Sequence, residues 1–77
     1  MVIMNLQGWT EQPSSHCKCY RREDVWLRIY PNGHAKFSYV NQYGYMVGKG
    51  IHTLLTQELL DWHTKELQRT GILCANS

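Results

Sequence analysis

The segment VWLRIYPNGHAKFSYV, Val25 to Val40, constrains this chain more than any other. Two alternating runs flank Pro31-Asn32-Gly33. Alternation of apolar and polar residues marks a strand with one buried face. The intervening turn decides which side chains share that face. A two-residue Asn-Gly loop would make Pro31 and His34 the closing pair. Pro31 has no N–H for that pair, and Leu27 would face Ser38 while Ile29 faced Lys36. A three-residue loop places Pro31 where its fixed φ is wanted and Gly33 where φ is positive. The pairs are then Tyr30–His34, Ile29–Ala35, Leu27–Phe37 and Val25–Tyr39. Every inward pair is apolar or aromatic. A slip of one residue would mix the faces, so the three-residue loop is expected.

That register puts Val25, Leu27, Ile29, Ala35, Phe37 and Tyr39 on an inner face. Trp26, Arg28, Tyr30, His34, Lys36, Ser38 and Val40 form the outer one. After NQYG the alternation continues, with Tyr45, Val47 and Ile51 inward and Met46, Gly48, Gly50 and His52 outward. Two glycines there leave a shallow patch. A helix follows. Thr56 is its expected N-cap, with Gln57 and Glu58 in the first turn. Leu55, Leu59, Leu60, Trp62, His63 and Leu67 make one stripe at helical spacing. Asp61 and Lys65 form an i,i+4 pair, and Gly71 ends the helix after Thr70.

The expected fold is α+β. It has a three-stranded antiparallel β-meander, four-stranded if MVIMNLQGW adds an edge, and one C-terminal α-helix packed on one face. A single small domain is expected over 1–77: an N-terminal segment and loop over 1–23, the meander over 24–52, the helix over 56–70 and a tail over 71–77. TEQPSSHCKCYRRED reads as a loop.

Seventy-seven residues bury roughly 60% of their unfolded surface. A deep enzyme cleft is hard to build at that size, and a flat binding surface is easier. No serine lies at a telling spacing, and no glycine loop precedes a helix to cradle phosphate. His63 with Glu66 one turn on is an acid–base pattern, but a core histidine matches it equally well. The run HCKC, His16 to Cys19, departs from the Cys-x₂₋₄-Cys spacing of zinc sites and lacks a second ligand pair. The expectation is therefore a protein that is not an enzyme and uses no cofactor or metal. Cys17, Cys19 and Cys74 are an odd set with two members too close to bridge, which argues against a disulfide framework. No apolar run is long enough to span a bilayer, and the first residues lack the pattern of a signal peptide. A reducing, cytoplasmic setting is expected, with no membrane partner.

The outer face interleaves aromatics with cations. Trp26, Arg28, Tyr30 and Lys36 on the sheet, with Arg21, Arg22 and Lys49 at the rim, are the candidate binding residues. The cations suit phosphates and the rings suit bases or sugars. Net charge is +2, which permits such contacts without demanding them. The order strand–strand–strand–helix over Val25 to Gly71, with YPNG and the aromatics after it, resembles the DNA-binding domains of phage integrase arms and plant AP2-type factors. The likeness is topological and implies a sheet laid in the major groove. Two functions follow: a nucleic-acid-binding regulator, or a phage-like accessory factor or inhibitor that docks on a larger protein through the same face. Tyr, Trp and Arg also dominate protein interfaces. Trp26, Tyr30, Val40 and Met46 outside are equally compatible with a homodimer.

Overall fold

The computed structural model describes residues 4–74. Strands β1 (Thr10–Gln12), β2 (Lys18–Arg22), β3 (Val25–Ile29), β4 (Ala35–Val40) and β5 (Met46–Ile51) precede helix α1 (Gln57–Arg69). The strands form one antiparallel sheet in chain order, β1-β2-β3-β4-β5. The α+β class and the expected meander are present, but the sheet has five strands rather than three or four.

The β3–β4 register is the expected one, with Leu27 opposite Phe37 and Ile29 opposite Ala35. The turn between them closes through Tyr30 N–H to His34 O at 2.8 Å and Gly33 N–H to Tyr30 O at 2.9 Å. Gly33 has φ 87°, the left-handed residue of a type I turn with a bulge. The β4–β5 turn repeats this geometry. Asn41 N–H meets Tyr45 O at 2.8 Å, Gly44 N–H meets Asn41 O at 3.0 Å, and Gly44 has φ 84°. Tyr45, expected inside, is exposed because it closes this turn beyond the last paired row, Val40–Met46.

The segment expected as a loop supplies the two additional strands. KCYRR pairs with β3, setting Tyr20 against Leu27 and Cys19 against Arg28. Its turn, Glu23-Asp24, contains no glycine, and Glu23 itself takes φ 54°. The Glu23 carboxylate accepts the Cys74 N–H at 3.0 Å, tying the chain beyond α1 to this hairpin. The edge strand is Thr10–Gln12 rather than MVIMNLQGW, of which residues 1–3 lie outside the described ones. Met4, Leu6 and Trp9 instead pack against the core. Asn5 anchors them through reciprocal bonds with Gln57, at 2.7 and 3.2 Å.

The core lies between the inner sheet face and α1. Val25, Leu27, Ala35, Phe37 and Ile51 meet Leu55, Leu60, Leu67 and Leu73. Phe37 is its hub: Trp9 lies 6.1 Å from its ring and His63 stacks on it at 5.2 Å. Thr56 Oγ1 accepts the Leu59 N–H at 3.2 Å, the expected N-cap. Gly71 (φ 82°) reverses the chain so that Ile72 N–H reaches Leu67 O at 2.9 Å, a glycine C-terminal cap. Trp62 is more than half exposed, at 54%. It sits at the border of the stripe and makes an edge contact with His63, at 4.9 Å. The expected Asp61–Lys65 pair does not form, because Gln57 Nε2 donates to Asp61 at 2.9 Å.

Gly33 and Gly44 occupy the same turn position in different surroundings. A Cβ on Gly33 would collide with the Leu54 side chain, whereas one on Gly44 meets open space. Gly44→Ala is expected to cost only the conformational penalty of a left-handed alanine, about 1–2 kcal/mol. The atom met at Gly33 is the end of the exposed Leu54 side chain, which can turn aside, so Gly33→Ala should cost a similar amount in urea denaturation. A distinctly larger loss would show that Leu54 is held in place.

His63 generates a second expectation. Burial, then the charge of Lys49, holds its pKa below 6.5 against the opposing pull of Glu66. The unfolded chain thus takes up this proton first as pH falls. Stability is full above the unfolded pKa, is lost as pH drops below it, and levels off beneath the folded value. His63→Phe should remove that component. The free-energy difference between the two proteins should change with pH below about 6.5. A constant difference there would refute it.

Candidate functional site

Strand pairing builds the outer face in two rows. One runs Thr10, Arg21, Trp26, Ser38, Gly48, and the next runs Gln12, Cys19, Arg28, Lys36, Gly50. Val40 and Met46 extend it toward the β4–β5 turn. None of these outward residues is Asp or Glu. Arg21, Arg28 and Lys36 sit on three adjacent strands around Trp26. Cys19 and Ser38 are small and buried within the face, which keeps its centre low.

Arg28 and Lys36 stand directly opposite each other. Opposed like charges destabilise a sheet, and among the described residues neither cation has an ion-pair partner. Lys36 leans away over β5: a Cβ on Gly48 would lie 2.7 Å from its Cε. Gly48 therefore makes the space into which the repelled lysine folds. His52 does the same one row on, its Nε2 3.2 Å from where a Gly50 Cβ would stand.

Arg21 is held differently. Its guanidinium lies over the Trp26 ring at 5.2 Å. Its Nε donates to Glu23 O at 2.8 Å, and an exposed ion pair joins it to Asp24 at 3.7 Å. Such a pair is worth about 0–1 kcal/mol, so the stacking and the backbone bond set its position.

Of the expected binding residues, Trp26, Arg28, Lys36 and Arg21 come together on this face. Tyr30 lies past the end of β3, in the turn. Arg22 and Lys49 are on the other side of the sheet. Arg22 pairs with Val25 and Lys49 with Phe37, both inward positions, and strand alternation carries their side chains toward the helix layer. Gln12, Cys19 and Thr10 join the outer face because β1 and β2 are strands. His52 was visible in the alternation that runs back from Ile51. The N-terminal segment leaves this face open among the described residues, since Met4, Leu6 and Trp9 pack on the core.

His63 and Glu66 do not form a pair. Glu66 binds Arg69 Nε at 2.6 Å, while His63 stacks on Phe37. Cys17 Sγ lies 3.5 Å from Ser14 Oγ. Among the described residues no group of three or more His, Cys, Asp or Glu could hold a metal ion, and no helix is long and apolar enough to cross a membrane. No protein-family model, curated protein or solved structure matches this chain, so the chemistry of the face alone carries a functional reading.

The Arg28–Lys36 opposition has a measurable consequence. Lys36→Glu replaces it with an opposite-charge pair. The unfolding free energy should rise by about 0.2–1 kcal/mol. A fall in urea denaturation would mean that the two cations do not strain the sheet.

Proposed function

We propose that this protein is a non-catalytic nucleic-acid-binding regulator that lays its outer sheet face along a phosphate backbone. The observation that carries the reading is Arg28 opposite Lys36, among outward strand positions that hold no Asp or Glu; the Asp24 carboxylate in the β2–β3 turn pairs with Arg21. A local rule broken at a stability cost is the expected mark of a functional site, and an oligoanion between the two cations would turn repulsion into attraction. Arg21, already stacked on Trp26, adds a third oriented cation. Because Arg21 covers part of the Trp26 ring, the face offers charge more readily than a bare stacking platform. Duplex, with its denser phosphates, is favoured over single strands.

A second reading rests on a different observation. Val40 and Met46, paired at the margin of the face, are 48% and 70% exposed, and Tyr43 in the adjoining turn is 74% exposed. Apolar exposure beside cations also suits an accessory factor or inhibitor docking on an acidic surface of a larger protein.

Fluorescence anisotropy of labelled duplex DNA, single-stranded DNA and RNA at several salt concentrations separates the two. Three phosphate contacts predict that log K falls against log salt with a slope of about −2 to −3. Lys36→Glu should abolish binding while leaving the protein folded. Salt-independent affinity, or no binding to any of the three, would retire the nucleic-acid reading in favour of the protein one.

A further inference from the structure

Beneath the sheet, on the side opposite the proposed interface, a cleft of about 110 Å³ opens between the C-terminal half of α1 and strands β4 and β5. Phe37 and Leu67 form its apolar floor, and Tyr39, Lys49, His63, Glu66 and Arg69 surround it. An apolar floor with a few converging polar groups is the usual form of a small-ligand site. The volume holds several waters or one small ion.

The charges in the cleft do not balance. Glu66 is engaged by Arg69 at 2.6 Å. Lys49 has no carboxylate within ion-pair distance among the described residues. It stands opposite Phe37 on the edge strand β5, on the helix side of the sheet but exposed, so its ammonium is at the mouth of the cleft rather than in the core. It also acts on His63, whose pKa is held below its ordinary value first by burial and then by the Lys49 charge. Perturbed groups gather at sites that work, and here the perturbation coincides with a cleft and an unopposed ammonium.

We propose that this cleft binds a small oxyanion, a phosphate or carboxylate group, between Lys49 Nζ and the His63 imidazole, with the Tyr39 hydroxyl as a further donor. The site is independent of the outer face. The titratable groups that line the cleft with His63 are Lys49 from β5, Tyr39 from β4, and Glu66 and Arg69 from its own helix, of which Lys49 and Glu66 act on its charge. A bound anion neutralises the Lys49 charge that disfavours imidazolium and then stabilises imidazolium directly. Binding therefore raises the His63 pKa and strengthens as pH falls through it. Two cations against one carboxylate favour phosphate over acetate.

The test is an NMR titration of the His63 ring resonances in the full chain. Inorganic phosphate and acetate serve as probes, with sodium chloride at matched ionic strength as reference. Saturable shifts are expected, with a phosphate dissociation constant on the order of 1 mM, weaker binding of acetate, and an upward move of the His63 titration midpoint at saturation. Lys49→Gln should remove the response, while Lys36→Glu, on the other face, should keep it. Backbone amide spectra confirm that each variant is folded. Tyr39→Phe, which keeps the ring, should weaken binding and provides a second reading if Lys49→Gln unfolds. Shifts no larger than those from chloride would overturn the proposal, as would a response that survives Lys49→Gln or an unchanged Tyr39→Phe.

Discussion

Phe37 opposite Leu27 is the contact on which the remaining structure depends. Both side chains are almost fully buried, and the pair sits in the middle strands of the sheet. Trp9 from the N-terminal segment and His63 from α1 converge on the same ring. The N-terminal segment, the helix and two strands are thus organised around one side chain. Losing a buried phenylalanine typically costs about 3–5 kcal/mol, a large share of what a domain of this size possesses.

This pair also determines the other side of the sheet. Side chains alternate along a strand, so a register that buries Leu27 and Phe37 must turn Trp26, Arg28, Lys36 and Ser38 outward. The cationic face is therefore a geometric consequence of the core. Its chemistry is not. Nothing about burying Phe37 requires Arg28 to face Lys36, and sheet energetics disfavour it. The same alternation puts Lys49 on the helix side of the sheet, opposite Phe37, where it stays exposed at the mouth of the cleft. The two proposed sites share one origin. Each is built on a cation whose side of the sheet is set by strand alternation, and they occupy opposite sides of one sheet.

Some of the candidate site was legible in sequence because its determinants are local. Trp26, Arg28 and Lys36 belong to a hairpin whose turn contains both Pro and Gly, and the alternation there is regular. Arg22 and Lys49 were assigned to the rim by charge, although the parity of Ile51 already places Lys49 inward; Arg22 comes opposite Val25 only through the Glu23-Asp24 turn. β1 and β2 escaped because KCYRR has no regular apolar alternation, and its turn, Glu23-Asp24, has no glycine. That turn is held by a contact with Cys74, fifty-one residues away, which no local pattern records.

By itself, the sequence determined the elements whose energies are settled within a few residues. These are the Pro31-Asn32-Gly33 turn and the register it imposes, the Thr56 and Gly71 caps, and the inward leucines of α1. Each follows from a fixed φ, a missing Cβ or one side-chain hydrogen bond. Only the tertiary structure decided that five strands form, that Met4, Leu6 and Trp9 cover the core and leave the cationic face open, and that Trp62 remains outside. Those outcomes depend on which apolar surfaces fill the space around Phe37. That is a competition among distant segments, and periodicity along the chain carries no information about it.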